Sequence, residues 1–534
     1  MTAALMVSAL AFAGCANSSS EDGEGGTKDT SDGGLSKSEI YTTGIVGEDG
    51  GGDPVDGGVL TIADFGEPRS LDPTVTYANG ATGGSAMAAI YDTLIRYDFE
   101  SQEFVPQLAE SLESDDNVTW TLKLRDGVEF TDGTPLDADA VLASIGYYQG
   151  KYAYNSLTMM SNVADTKKVD DLTIEFTMRN PWATFPNMLA GGAGMILAPA
   201  AYKDPENFKP IGAGPFTYGK YSPGEELTLD ANQDYFDGAP HLDGLKFVWL
   251  GAVDDEPKLE ALESGAADTA FIRDSEVIED ARDEDVSGMM FATGLGTNLW
   301  INNREGRPGE DVRVRQAINY AIDAEAYNTR VNDGSGLPTK SLFADSSPWA
   351  TDVEPTPADT EKAKELLEEA KADGFDGKIT YVHAADASSQ AGAVALKAML
   401  DAVGFEVTLD PLRSVADQVQ RLYVEHDYDL AIGATTIPDE DPYTRLFGSM
   451  NSQSPTNSSG YANPKMDELL VELQAAASPE EGADTMAAIE ELWNEDSPGI
   501  GMAAGGTFQP WNDNVHGMTP TTETMFLYDD VWKD

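Results

Sequence analysis

A chain of 534 residues is larger than one ordinary hydrophobic core and calls for two or three domains. Its 41% hydrophobic content suffices for a globular interior, yet no apolar run reaches the roughly 18 residues of a membrane span. Asp and Glu total 93 against 33 Lys and Arg, and the net charge of -60 excludes nucleic acid as a partner. A single cysteine leaves no internal disulfide framework and no multi-cysteine metal site. The four histidines, His241, His383, His426 and His516, are scattered without an HExxH pair, so neither a metal centre nor a cofactor is expected.

Residues 1–14 are apolar or small throughout and end in Phe12-Ala13-Gly14 before Cys15. This pattern looks like a lipoprotein signal peptide cut before Cys15, whose thiol then carries the lipid. Phe12 stands where Leu is usual, and no Lys or Arg precedes the apolar run. Residues 16–57 hold eleven Gly and ten acidic residues against two Lys, a composition that predicts a flexible tether. The remaining 83 acidic and 31 basic residues belong to the folded body, which is therefore acidic on its own account.

Order is expected to begin with the β-prone run 58–63. Further strands are predicted over 118–124, 172–178, 226–230 and 245–250, alternating with helical stretches at 86–94 and 138–147. Thr356-Pro357 reads as N-cap and first helical residue, followed by the apolar stripe Ala363, Leu366, Leu367 and Ala370. A strand over 378–383 comes next, then a second stripe (Leu396, Met399, Leu400, Val403) that stops at Gly404. Phe405, Val407 and Leu409 alternate as a strand, and 428–433 offers another. Such alternation of strand and amphipathic helix predicts an α/β fold, with no repeat of solenoid or propeller length.

Several blocks carry a more specific signal. They are Ser70-Leu71-Asp72-Pro73, a helix expected over 90–97, Val105 to Leu112, and the long run Thr119 to Leu136 continuing into Ala138-Asp139-Ala140-Val141. Downstream lie Gly212-Ala213-Gly214-Pro215-Phe216, Asn232 to Gly238, and Val312 to Asp323. In this order they resemble the extracellular solute-binding proteins of peptide-type ABC importers, the dipeptide-, oligopeptide- and nickel-binding group. Most blocks also have a purely structural reading. Asp132-Gly133-Thr134-Pro135 is turn chemistry, Asp137 and Asp139 suit a helix N-terminus, and Gly212 and Gly214 lack the third glycine of a phosphate loop. The arginines of 312–316 are expected to cap and pair at the surface rather than touch ligand.

The resemblance implies a two-lobed fold of the periplasmic-binding-protein type, a Venus flytrap with an extra sub-domain in the first lobe. Lobe I would span 58–295 with a sub-domain near 98–200 and a return over 505–534, and lobe II would span 296–504. The chain crosses between them twice, so the connections form a hinge and ligand is enclosed on closure. In peptide-binding relatives an extended lobe II segment pairs with the ligand backbone. Here that segment is Ala434-Thr435-Thr436-Ile437-Pro438-Asp439-Glu440-Asp441. Thr435 occupies the usual Trp place, and Pro438 occupies the place of the aspartate that holds a peptide's α-ammonium. Asp439 or Glu440 could substitute, and Asp441 is retained as ligand contact or loop determinant. Tyr77 and Asn79 from lobe I, with Asn298 and Trp300 at entry to lobe II, complete the expected wall, with a core position as the alternative for Trp300. Arg413, Arg421 and His426 are expected at the surface.

The function these readings imply is a lipid-anchored, monomeric receptor at the outer face of the cytoplasmic membrane. It would capture a small solute or peptide and hand it to an ABC permease and its ATPase, touching the membrane through the lipid only. Peptide is the default ligand and an oligosaccharide the alternative, because Pro438 removes the ammonium anchor. A secreted hydrolase is the rival class, but no GxSxG, HExxH, Walker A or CxxC motif is present and no catalytic residue is assigned.

Overall fold

The computed structural model describes residues 35–47, 51–204, 207–251, 254–284 and 286–534. Cys15 and the signal-like segment lie outside these residues. The C-terminal part of the expected tether is folded. Ser36 caps helix α1 (Lys37–Ile40) through a capping box with Glu39, and strand β1 (Gly44–Val46) follows. Two apolar side chains within a Gly-rich, acidic stretch reverse the expectation: Ile40 is 4% and Tyr41 1% exposed. Burying them offsets the cost of ordering the segment.

Strand β2 (Val59–Asp64) leads through a loop to α2 (Gly84–Tyr91), every residue of which is buried. The helix expected over 90–97 instead stops at Tyr91, because Asp92 takes a positive φ of 59°, and a strand runs over Ile95–Asp98. Strands β3 (Ala109–Glu113) and β4 (Thr119–Leu124) come next, and β4 alternates exposed and buried residues along its whole length. Asp137 caps α3 (Ala138–Gly150), which is followed by α4 (Ser156–Asn162), β5 (Val163–Asp170) and β6 (Thr173–Met178). Together these form an antiparallel sheet in the order β3-β4-β6-β5.

Strands β7 (Phe216–Ser222), β8 (Glu226–Ala231), β9 (Gly244–Trp249) and β10 (Thr269–Ala270) join β2 in a sheet ordered β10-β2-β9-β8-β7. The Gly212 and Gly214 block packs against α2: a Cβ there would fall 2.3 Å from the Ile90 carbonyl oxygen and 2.4 Å from that of Ala89. Close helix approach, not phosphate, explains those glycines.

Helix α5 (Ser275–Asp283) precedes the long strand β11 (Gly288–Ile301). The second half of the chain adds α6 (Ala324–Val331), α7 (Thr360–Ala372), β12 (Lys378–Ala384), α8 (Ala387–Val403), β13 (Glu406–Leu412) and β14 (Leu430–Gly433). Short β15 (Ile437–Pro438), α9 (Pro442–Met450) and β16 (Gly499–Pro510) follow, with helices over Val312–Ala321, Pro464–Ala475 and Pro479–Asp496 packed among them. The cap of α7 is Asp359 rather than Thr356, because its carboxylate accepts the amides of Glu361 and Lys362. Helix α8 ends where predicted, at Gly404 with φ 108°. Arg313 pairs with Asp311 and Asp373 as expected, whereas Arg315, expected at the surface, is buried and holds the carbonyls of Asp496 and Gly309.

Strand β12 runs parallel to β13 and β14, and β14 pairs antiparallel with the far half of β11. β11 and β16 form an antiparallel ribbon from Gly288↔Pro510 to Trp300↔Gly499, two adjacent strands drawn from distant parts of the chain. Their register shifts between Thr293 and Asn298, where Leu295 has φ 44° and Gly296 lies against Gly505. A Cβ on Gly296 would sit 2.1 Å from the Gly505 Cα, so the two glycines let the ribbon cross itself at closest approach.

Candidate functional site

A cavity of about 770 Å³ opens beside this crossing. On one side it is walled by the loop after β2 (Arg69, Pro73 to Tyr77) and by residues around the start of α4 (Tyr152 to Asn155, Leu157, Thr158). On the other lie β11 (Leu295, Asn298, Trp300), Tyr423, His426, Ala434, Thr435 and one face of α9.

At its floor, Arg445 of α9 pairs with Glu523 of the C-terminal return, Nη2 to Oε2 at 2.6 Å, with both side chains 8% exposed. Arg445 also donates to the hydroxyls of Tyr77 and Tyr154, and the Tyr77 hydroxyl donates to Glu523. The two tyrosine rings lie 3.7 Å apart by centroid, and the guanidinium carbon stands 5.4 and 5.1 Å from them. Burial opposes the charge on Arg445, but Glu523 and the tyrosine oxygens around it hold it firmly protonated. Four distant stretches of chain thus meet in one charge-balanced cluster, its ion pair buried and Tyr154 46% exposed.

Above it the wall is neutral and aromatic. Trp300 donates through Nε1 to Asn298 Oδ1 at 3.3 Å, and Asn298 Nδ2 donates to Thr435 Oγ1 at 3.2 Å. The Trp300 indole lies over Gly433, where a Cβ would come within 2.5 Å of the ring, and meets Tyr423 edge-on at 5.6 Å. Tyr423 belongs to a π-helical turn, Gln420–Val424, a geometry often found at functional sites. Burial, then Arg304, lowers the pKa of His426. Its Nδ1 lies 3.0 Å from the Leu422 carbonyl and so carries the proton, leaving Nε2 as an acceptor. Tyr152, Asn155, Leu295 and His426 all line the cavity with positive φ, backbone strain concentrated at this wall.

Of the expected residues, Tyr77, Asn298, Trp300, Ala434 and Thr435 line the cavity. Asn79, Thr436, Ile437, Asp439 and Asp441 do not. Asn79 caps the turn Gly80–Thr82 and donates to Glu523 at 3.4 Å. Thr436 turns away with φ 48° after its amide bonds the Leu295 carbonyl, and Ile437 is fully buried where β15 pairs with β11.

The acids of this segment serve the fold. Asp439 accepts from Ser347 at 2.6 Å and Thr43 at 3.2 Å, while burial raises its pKa to about 6. Glu440 accepts from Thr522 at 2.8 Å and is raised to about 7 by burial. Asp441 is wholly buried, caps α9 and takes hydrogen bonds from Thr184 and Asn187 at 2.9 and 2.8 Å. His426, expected at the surface, reaches the cavity, whereas Arg421 is engaged by Asp410 and Asp427 and Arg413 is exposed.

Arg445, Tyr154 and Tyr423 were not anticipated. Asp441-Pro442 does signal the start of a helix, and Thr444, Arg445, Gly448 and Ser449 then fall on one face. Nothing local marks Glu523 as a partner. None of the 32 lining residues is Asp or Glu, although these make up 93 of the chain's 534 residues.

The model of the bacterial extracellular solute-binding proteins, family 5, matches residues 103–457. The chain belongs to that family. Among curated relatives of this solute-binding protein is the glutathione-binding protein GsiB of Escherichia coli K12, 25% identical over 485 residues, 86% of this chain and 92% of the relative. Among solved structures it is similar to the ABC transporter substrate-binding protein CtaP of Listeria monocytogenes. That match has a TM-score of 0.69 at 25% identity and covers 90% of this chain and 99% of CtaP. It also resembles the periplasmic binding protein DppA of Helicobacter pylori in complex with the peptide STSA. There the TM-score is 0.74 at 24% identity, covering 90% and 98% of the two chains. The α/β, two-lobed architecture is that of these binding proteins.

Proposed function

We propose that this chain is the solute receptor of an ABC importer and that the solute is held in the cavity between its lobes. The carrying observation is a wall rich in tyrosine, tryptophan, hydroxyl and amide groups and free of carboxylates. Its volume falls within the roughly 300–1,000 Å³ usual for small-molecule sites. The solute is a short peptide, or a polar solute of that size, whose amino group is not salt-bridged to the protein. With Pro438 in the acid's usual place and Asp439 and Asp441 committed to the fold, no anion faces an incoming ammonium.

The aromatic lining favours a second reading, an oligosaccharide stacked on Trp300, Tyr423 and the Tyr77–Tyr154 pair. We assign lobe I to 58–295 and 505–534, with its sub-domain near 98–200, and lobe II to 296–504. The ribbon of β11 and β16 supports that division. Lipid on Cys15 would hold the receptor, as a monomer, at the outer face of the membrane beside its permease, where tethering raises the local rate of handover. Among the described residues no helix is long and apolar enough to cross a membrane.

A thermal-shift screen of free peptides, N-acetylated peptides and oligosaccharides tests the reading. Stabilisation by acetylated peptides or sugars is expected. Stabilisation by free-amine peptides alone, lost in Asp439→Asn, contradicts it, and no shift with any class contradicts the receptor role for these solutes. Turnover of a chromogenic peptide or glycoside would point to the hydrolase instead.

A further inference from the structure

His426 forms the bend that follows the π-helical turn Gln420–Val424, with a φ of 50°, and it lines the cavity. The bend is held at three points. The buried Asn302 amide donates to the His426 carbonyl at 2.8 Å and to that of Tyr428 at 2.9 Å. The Asp427 backbone amide donates to the Arg421 carbonyl at 2.9 Å. The ring itself donates from Nδ1 to the Leu422 carbonyl at 3.0 Å. Backbone strain fixed this firmly fits a residue whose side chain has to be aimed. With the proton on Nδ1, Nε2 keeps its lone pair and has no hydrogen-bond partner among the described residues.

The surroundings keep that lone pair available. Burial and Arg304 both lower the pKa of His426, so the ring is neutral at pH 7. Arg304 is fixed in turn by the carbonyls of Asn457 and Ser458. The neighbouring acids are engaged elsewhere. Asp427 pairs with Arg307 and Arg421, Asp429 pairs with Arg307, and Glu425 accepts from Gln420. Burial raises both nearby tyrosines, Tyr423 and Tyr428, to about 12, so they are uncharged. Other acceptors on this wall are already used: Asn298 Oδ1 takes the Trp300 indole, and the Tyr154 hydroxyl takes Arg445. What is left is hydroxyl and amide oxygen, and a neutral imidazole, being far more basic, is a stronger acceptor than either.

We propose that His426 Nε2 accepts an N–H of the solute's terminal nitrogen, taking over the role of the carboxylate that Pro438 removes. The inference rests on the receptor reading and names the group at that site which meets the solute's nitrogen. A neutral nitrogen takes an N–H from an ammonium and from an amide alike, whereas an aspartate favours the ammonium. Free and acetylated forms of one peptide therefore bind similarly. Protonation of the ring removes the lone pair. Binding is thus present above the lowered pKa of His426 and is lost as pH falls through it.

Equilibrium dialysis of the full chain against a pool of N-acetylated tripeptide amides tests it, with bound peptides counted by mass spectrometry. The pool is built from uncharged residues and does not titrate between about pH 4.5 and 7.5. At the higher pH, retention should fall about tenfold in His426→Phe and stay within about threefold of wild type in His426→Gln, whose amide oxygen stands in. A matching pool methylated on its first nitrogen has no N–H there. It should be retained about tenfold less than the parent pool by wild type, and no less than the parent by His426→Phe. Acidification should release peptide from wild type and not from His426→Gln. Equal retention of the parent pool by wild type and His426→Phe, or a methylation effect of equal size in both, overturns the proposal and leaves the receptor reading standing. No peptide retained at either pH overturns the peptide reading itself, and this inference with it.

Discussion

Two neighbouring stretches of chain, residues 434–441 and helix α9, divide the work in the opposite way to what their sequences suggest. The first is extended and acidic and is the segment expected to pair with ligand, yet only Ala434 and Thr435 face the cavity. The second reads as an ordinary amphipathic helix, yet it supplies Thr444, Arg445, Gly448, Ser449 and Met450 to the wall. The three acids at 439–441 face inward to Ser347, Thr522, Thr184 and Asn187. Acidic composition is therefore a poor guide to the chemistry of the cleft, which depends on the direction of each side chain.

The sharpest way to break this contrast is Arg445→Met, which leaves Glu523 buried without its cation. Removing one partner of a buried pair costs about 3–5 kcal/mol, so chemical denaturation should report a loss of that size. Arg445→Met with Glu523→Gln should recover most of it, since no charge is then stranded. Asp441→Ala comes next. It removes the cap of α9 and the acceptor for Thr184 and Asn187, for about 2–3 kcal/mol in the same assay. Trp300→Ala tests the other side of the contrast: solute affinity should fall about thirtyfold, near 2 kcal/mol, with little change in melting temperature.

The smallest effect is in pH. Glu440 titrates near pH 7 in the folded protein because burial raises it above its ordinary value of 4.5. A carboxyl with a raised folded pKa favours the folded state only while it stays protonated. Stability from this group is present at about pH 4 and is lost as pH rises through 7. Glu440→Gln should therefore melt at the wild-type temperature near pH 4 and above it at pH 8. The same difference at both pH values would contradict the assignment.

Much of the architecture was legible because its signals are local. The apolar stripes of α7 and α8, the stop at Gly404 and the alternation of β4 each follow from a few adjacent residues. The family blocks added the two-lobed fold. Tyr77, Asn298, Trp300 and Thr435 were legible by the same resemblance. The cavity floor was not, because Tyr77, Tyr154, Arg445 and Glu523 come from four separated stretches and meet only through tertiary packing. The folded segment 36–46 was hidden for a different reason. Its average composition describes a tether, whereas two residues, Ile40 and Tyr41, decide its state.

The central claim is that the cleft holds its solute without a carboxylate on the ligand's amino group. Titration calorimetry with the free and N-acetylated forms of any peptide that stabilises the protein tests it most directly. The account predicts affinities equal within about threefold, in wild type and in Asp439→Asn alike. Binding of the free form alone, abolished by Asp439→Asn, would contradict it.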